Sequence, residues 1–546
     1  MHKIKLLSFL SATTKLVGGI YAVIPACRES FFHLYRPLIT LRGNVNVPIP
    51  KKDTGQAGMT IINTNITHRS LLALVFTLLL TGCMVGPNYQ RPAVDTPQSW
   101  RFEDKEAKDV ANTAWWEHFD DPVLNDLIQI AIQENKDLKI AAARVEQFAG
   151  IYGTTRAALF PQIGAGGSAS RQRTSENTGP IPLDSQANPN FSNYEVFLNA
   201  SWEIDLWGKL RRATEAARAN LLSTEEARRT VILTLVSSVA NSYINLRALD
   251  RQLELTRQTA ERYKESYDIF KLRFEYGIVS EIEVSQAKSQ YEEALANIPF
   301  FEKTIAQQEN ALSVLLGRNP GPIPRGKTID QLILPAVPAG LPSDILVNRP
   351  DILQAEQNLI AANANIGFAR AQYFPTISLT GLFGWASSDL SDLFKGSSRT
   401  WSWAVPVAAP VFTAGAIAGQ VKLAEAVQQE ALLTYQQAIQ TAFREVDDSL
   451  VDQKRTKEQL KALVQQVGAL RDYSSLAWLR YENGYTSYLE VIDADSRLYS
   501  AELTHAQTQG TLFQALVNLY KAMGGGWVTE AEQLTVPTEG GEAAGK

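Results

Sequence analysis

Cysteine and methionine are almost missing from this chain: 546 residues carry two Cys and four Met. Cys27 and Cys83 alone give no disulfide framework, and so few methionines give no support to a methionine-lined metal path. Histidine is as sparse. There are five, three of them before Cys83, and none pairs at a metal-ligand spacing. His118 and His505 read as surface residues. A strong excess of one charge is lacking too, for the net charge is −5, which offers nucleic acid no basic face. Beyond residue 83 no apolar stretch reaches the roughly 18 residues of a membrane-crossing helix, which excludes an inner-membrane helical bundle. Proline is absent from 190–298 and from 411–536, so long unbroken helices are permitted there.

What apolar sequence there is near the N-terminus is short and flanked in a telling way. His68-Arg69 precedes the run Leu71–Leu80, and Leu80-Thr81-Gly82-Cys83 closes it. A basic start, a ten-residue apolar run and small residues before a cysteine read as a signal peptide, because the run is too short to span a bilayer. Its end resembles a bacterial lipobox, whose cysteine receives a diacylglyceryl thioether and then an N-acyl chain. The rival reading is a plain membrane anchor with an incidental cysteine. The signal is expected to begin near Met59, with 1–58 an upstream segment preceding the native start and 59–82 removed. Cys83 is then the first mature residue, held to the membrane by two or three acyl chains.

The mature chain reads as one unit written twice. Arg273-Phe274-Glu275-Tyr276-Gly277-Ile278-Val279-Ser280 aligns with Arg480-Tyr481-Glu482-Asn483-Gly484-Tyr485-Thr486-Ser487 at an offset of 207, which continues to Leu312/Leu519 and Gly317/Gly524. Upstream, Arg156–Ile163 matches Arg370–Ile377 at an offset of 214. Each unit has the order helix, two strands, very long helix, turn, shorter helix.

Spacing predicts long helices over 209–275 and 416–482, each about 100 Å at 1.5 Å per residue, and half-length helices over 123–159 and 280–316. Val421, Ala424, Gln428, Ala431, Tyr435 and Ala438 step by three and four, while Ile439, Phe443, Val446 and Leu450 start an offset seam. Two seams on one helix mean neighbours on both sides, as in the wall of a tube. Gly277 and Gly484 stop the long helices, and Ser280–Glu283 and Ser487–Glu490 read as capping boxes opening the next. In 194–205, Tyr194, Val196, Leu198, Ala200 and Trp202 share one face. Glu195, Asn199, Ser201 and Glu203 share the other, with Phe197 the exception. Ile377–Trp385 and Trp401–Val407 supply further strands, and polar loops 172–192 and 387–399 separate the members of each pair. Strands of about ten alternating residues suit a membrane barrel. Four cannot close one alone, and open edges are forbidden in lipid, so the chain is expected to oligomerise.

Several stretches in order resemble one family: Gly86-Pro87-Asn88-Tyr89, Trp115-Trp116 with Phe119-Asp120, Ile204-Asp205-Leu206-Trp207-Gly208, Arg349-Pro350-Asp351-Ile352, Phe374-Pro375 and Gly524-Gly525-Gly526-Trp527. They are similar to the TolC-like outer-membrane factors of tripartite pumps, in their lipoprotein branch. The resemblance implies a mainly α fold with a membrane β-barrel: a homotrimer with twelve strands in the outer membrane, continued by a long helical barrel across the periplasm. It implies, as partners, a periplasmic membrane-fusion adaptor and an inner-membrane transporter, with a proton-driven efflux pump first and a type I protein secretion system as the alternative. It also implies adaptor docking at the tips, Gly277, Ile278, Val279 and Ser280 with Gly484, Tyr485, Thr486 and Ser487. A periplasmic gate is implied at Leu489 and Asp493, with Glu490 either a gate residue or the capping partner of Ser487. Met84 after the cysteine favours outer-membrane sorting by the family's rule. No cofactor is expected beyond the lipid on Cys83. The domains expected are 1–58 upstream, 59–82 signal, 83–119 tether, 120–320 first repeat, 321–349 proline-rich equatorial linker, 350–527 second repeat and 528–546 polar tail.

Three other functions have a claim. Gly321–Thr328 fits the Walker A pattern, but Pro322 and Pro324 lack the N–H donors a phosphate cradle uses, and no strand precedes them. A tethered coiled coil has no use for paired strands. An autonomous porin needs about three times as many strands.

Overall fold

The computed structural model describes residues 84–94, 96–97, 99–101, 114–173, 175, 189–335, 340, 342–524 and 527–528. Cys83 and the segments 1–58, 59–82 and 529–546 lie outside the described residues. After a 3₁₀ turn at Trp115–Phe119 come α1 (Pro122–Glu134), α2 (Lys136–Ala157), β1 (Gln162–Arg173), β2 (Asn190–Ile204), α3 (Lys209–Glu275) and α4 (Glu281–Leu315). A helical turn at Ile345–Asn348 leads into α5 (Pro350–Ala371), β3 (Thr376–Ser387), β4 (Arg399–Ala404), β5 (Val407–Ala408), α6 (Ala416–Glu482) and α7 (Tyr488–Ala522). The fold is mainly helical. Residues 84–85 with 205–208 form a small separate unit, in which the Val85 N–H donates to the Trp207 carbonyl at 3.0 Å.

The long helices α3 and α6 have 67 residues each, at the bounds their sequence sets. Shorter helices stack end to end beside them. Where α4 ends against α2, Gly317 sits so close to Glu134 that an added Cβ would fall 2.1 Å from the Glu134 carbonyl oxygen. Asn135 Nδ2 donates to the Leu315 carbonyl at 2.9 Å, and its Oδ1 accepts from the Leu138 N–H at 3.0 Å. Asn135 thus caps α2 and breaks the helix expected over 123–159 in two. Where α7 ends against α5, Arg349 stands in the corresponding place. Its Nη1 donates to the Ala522 carbonyl at 2.9 Å, and its Nη2 reaches Asp351 at 2.6 Å and Glu445 at 2.8 Å. The side chain is 5% exposed, a buried charge with its partners in place.

Packing follows a simple order. α3 lies between α4 and α7 at one end and between α2 and α5 at the other, while α6 packs along α7 and α5. The core where these meet holds a stack of Trp115 on Tyr520 at 5.3 Å, with Trp116 edge-on to Trp527 at 5.0 Å. Small residues (Ala216, Ala219, Ala361, Ala364) let α3 and α5 approach closely. The Gly86–Tyr89 strap crosses the same two helices: buried Arg212 donates to Asn88 Oδ1 at 2.8 Å, Asn363 to the Pro87 carbonyl at 3.0 Å, and Tyr89 to Glu356 at 3.0 Å.

The sheet runs β1-β2-β3-β4 antiparallel, with β5 pairing the end of β3. The fourth strand is interrupted at Val405-Pro406, since proline brings no donor to the ladder. Register places Leu198 opposite Phe383, Phe383 opposite Trp401 and Gly381 opposite Trp403, so one face is continuously apolar. Trp401 and Trp403 are 66% and 69% exposed on it. The Phe197 exception has a local cause. It pairs with Gly166 on one side and Gly384 on the other, and its ring lies over Gly166, where an added Cβ would meet it at 2.9 Å. The strands outrun the expected loops, with β1 ending at Arg173 and β2 starting at Asn190.

Candidate functional site at the hairpin tips

The tips are built by the glycines. Gly277 (φ +69°) and Gly484 (φ +72°) are left-handed, and the Ile278 and Tyr485 N–H groups fold back on the Arg273 and Arg480 carbonyls at 2.8 and 2.9 Å. Nothing lies within 4 Å of a Cβ added at either glycine, so conformation alone selects the residue. Ile278 and Tyr485 are 70% and 77% exposed, and each tip therefore presents an apolar side chain to its surroundings.

The two turns open their following helices differently. At the first, the Ser280 N–H donates to the Glu283 carboxylate at 2.9 Å and the reciprocal bond is present, a capping box. At the second, the expected box between Ser487 and Glu490 does not form. Glu490 instead binds Arg480 at 2.7 Å and the Thr486 hydroxyl. The cause is one side chain. Thr486 offers a hydroxyl where the first turn has Val279, and the carboxylate takes it together with the guanidinium. Glu490 braces the turn rather than capping it.

Leu489 is 60% exposed on the first turn of α7. Asp493, one turn on, accepts from Arg497 Nε at 2.9 Å and from the Tyr473 hydroxyl at 3.4 Å. The acid is paired, which the sequence reading did not anticipate. That reading also missed the joint between the hairpins. Tyr488, buried, packs on Phe270 at 4.1 Å, on Tyr481 at 5.5 Å and on Trp478 at 6.0 Å. Its signal was present, since Tyr488, Val491 and Leu498 keep helical spacing on α7.

The residues that tempted toward other chemistry are otherwise engaged. In the Walker-like segment the Gly326 N–H donates to the Tyr243 hydroxyl at 2.9 Å and the Lys327 N–H to Asp121 at 3.1 Å, while Lys327 Nζ pairs with Asp120. Asp121 also caps α1 through the Val123 N–H at 3.0 Å. The segment is stitching and not a cradle. His118 is exposed, but His505 is half-buried, and burial pushes its imidazole below the ordinary value. Its expected place on the surface is corrected accordingly.

Long helical hairpins, an apolar-faced antiparallel sheet and exposed glycine tips define the class of outer-membrane channel proteins. The family model for outer membrane efflux proteins matches residues 127–318 and again 341–525. The chain is 39% identical over 477 residues to the probable efflux pump outer membrane protein TtgC of Pseudomonas putida, covering 85% of this chain and 97% of that relative. It is 38% identical over 463 residues to the cation efflux system protein CusC of Escherichia coli, covering 84% and 98%. A crystal structure of CusC superposes with a TM-score of 0.74 at 35% identity, over 81% of this chain and 100% of that one. The open state of the MtrE outer membrane channel of Neisseria gonorrhoeae does so with 0.73 at 32%, over 81% and 98%. The chain belongs to the outer membrane efflux protein family. It is an outer-membrane efflux channel.

Proposed function

We propose that three copies of this chain close into a single duct, a twelve-stranded barrel in the outer membrane continued by a helical tube across the periplasm. The observation that carries this reading is a pair of unmatched edges. Among the described residues β1 pairs only with β2, and β4 and β5 only with β3, whereas no open edge is stable in lipid. The helical layer has the same asymmetry. α6 packs on α5 and α7, and α2 and α4 pack on α3. Apolar side chains stand exposed on α6 (Leu423, Leu433, Leu476) and on α2 and α4 (Ile140, Phe300, Val314). Joining one edge to the other edge of the next copy is a head-to-tail contact, which closes into a ring when the rotation between copies closes, and only a closed ring leaves no edge in lipid. Two copies would give eight strands, whose interior side chains fill. Three leave a passage, in keeping with the family resemblance. The two units of the chain read as a duplication, supported by Asn135 and Arg349 binding the last-turn carbonyls of Leu315 and Ala522 at matching junctions.

The chain performs no chemistry in this reading. Cys83 carries the lipid, on the strength of its lipobox. The tips around Gly277–Ser280 and Gly484–Ser487 receive the adaptor, which joins the duct to an inner-membrane transporter. Leu489 and Asp493 line the closed periplasmic end. Because Asp493 is held by Arg497, the closure is a ring of leucines and ion pairs and not of bare carboxylates. The name of CusC mentions cations and that of TtgC no substrate, and this duct is read as serving an efflux pump without commitment to one substrate.

Native mass spectrometry of the mature protein in detergent should give a trimer, with an acylated N-terminus at Cys83 and nothing from 1–82. A stable monomer would sink the closure argument, and a mature chain starting upstream of Cys83 would sink the lipid assignment.

A further inference from the structure

Two residues past Asp493, about 200° around α7, Asp495 turns away from the gate face into a cleft of about 330 Å³ between α3, α6 and α7. It is an acid among buried apolar neighbours, Val491 and Leu498. Its Oδ1 accepts from Ser474 Oγ at 2.5 Å and its Oδ2 from Trp478 Nε1 at 3.1 Å. Both donors lie on α6, one helical turn apart. The helical framework does not demand this arrangement. The residues 207 positions earlier are Lys288, Tyr267 and Lys271, and there α3 and α4 are joined by Tyr267 stacked on Tyr291 at 6.3 Å.

We propose that Asp495 is a positioning residue for the gate: by gripping Ser474 and Trp478 it fixes the rotation of α7 against α6 and so aims Leu489 and Asp493. The idea rests on the gate reading above. With the grip intact, α6 and α7 move as one rigid hairpin when the duct opens. With it broken, α7 turns on its own and the closure leaks.

The grip has a pH signature. Burial pushes the Asp495 carboxyl above the ordinary aspartate value, against Ser474, Trp478 and Arg262, which pull it down. The other titratable groups around it are Tyr263 and Glu265 on α3, Glu293 on α4 beside Tyr263, and Tyr488 on α7; Ser474 and Trp478 on α6 carry no charge. The closed hairpin thus binds the proton more tightly than an opened one in which the carboxyl meets water. Acidification from neutral toward the ordinary carboxylate range therefore favours closure.

The test uses full-length trimers in planar bilayers. Asp495→Ala strands both donors, and its conductance should rise severalfold over wild type. Asp495→Asn restores an uncharged acceptor and should return conductance to the wild-type level or below, without the fall on acidification that the wild type shows. Leu489→Ala with Asp493→Ala serves as the control for the gate itself. If that control conducts more but Asp495→Ala keeps the wild-type conductance and pH profile, the grip is idle and the proposal fails alone. If the control changes nothing, the gate reading fails. Nitroxide labels on Ser475 of α6 and Ser496 of α7 then decide the grip, which a distance distribution broadened by Asp495→Ala supports and an unchanged one overturns.

Discussion

Arg349 and Gly317 show how single side chains hold the stacked helices in line. The Arg349 guanidinium is nearly sealed from water, with two carboxylates and a helix-end carbonyl as partners. Removing the guanidinium leaves the Ala522 carbonyl without its donor, while Asp351 and Glu445, 36% and 40% exposed, turn to water, so Arg349→Ala should cost about 1–3 kcal/mol, read as a lower midpoint in thermal unfolding of the assembled protein. Glycine substitutions should sort by what surrounds them. At Gly484 an added Cβ meets nothing within 4 Å, and Gly484→Ala should cost only the roughly 1–2 kcal/mol of left-handed strain. At Gly317 the Cβ would fall 2.1 Å from the Glu134 carbonyl oxygen, so Gly317→Ala should be the more damaging by the same measurement. An equal effect at both sites would show that the α4–α2 junction yields easily.

At the scale of elements, the tips carry the next expectation. Ile278 and Tyr485 are exposed and make no core contact that their loss would weaken. Replacing both with Asp should change stability by no more than about 0.5 kcal/mol yet weaken capture of the cognate adaptor about tenfold, roughly 1.4 kcal/mol, in a pull-down from membranes. Undiminished capture would move docking off the tips. The tips and long helices were legible because their causes are local: absent proline, a glycine stop, apolar steps of three and four. α3 and α6 accordingly fall on their expected bounds. What was not legible depends on partners distant in sequence. Asn135 looks like any polar helix residue until the end of α4, 180 residues away, takes its amide. Glu490 matches a capping pattern, and only the Thr486 hydroxyl and Arg480 draw it elsewhere. Phe197 breaks the strand alternation because two glycines on neighbouring strands make room for it. Asp493 announced itself as an acid near a helix start. Its pairing with Arg497 was available at a spacing of four and went unread.

For the whole molecule, the closure proposed above takes the four strand spans, each outer edge unpaired among the described residues, and the helical layer beside them as one third of a closed assembly. A free protomer would show lipid an open ladder and water a run of apolar side chains on α6. Closure removes both at once, which is why barrel and tube are expected to assemble together and not in turn. In that proposed assembly the apolar face of Leu198, Phe383, Trp401 and Trp403 would meet lipid, and the proposed gate would lie where Leu489 and Asp493 of each copy meet. Single-channel recording tests this most directly. Purified wild-type trimers in a planar bilayer should show small, mostly closed conductance, and Leu489→Ala with Asp493→Ala should raise it severalfold while the trimer persists. A properly assembled double variant whose conductance matches wild type would contradict the account.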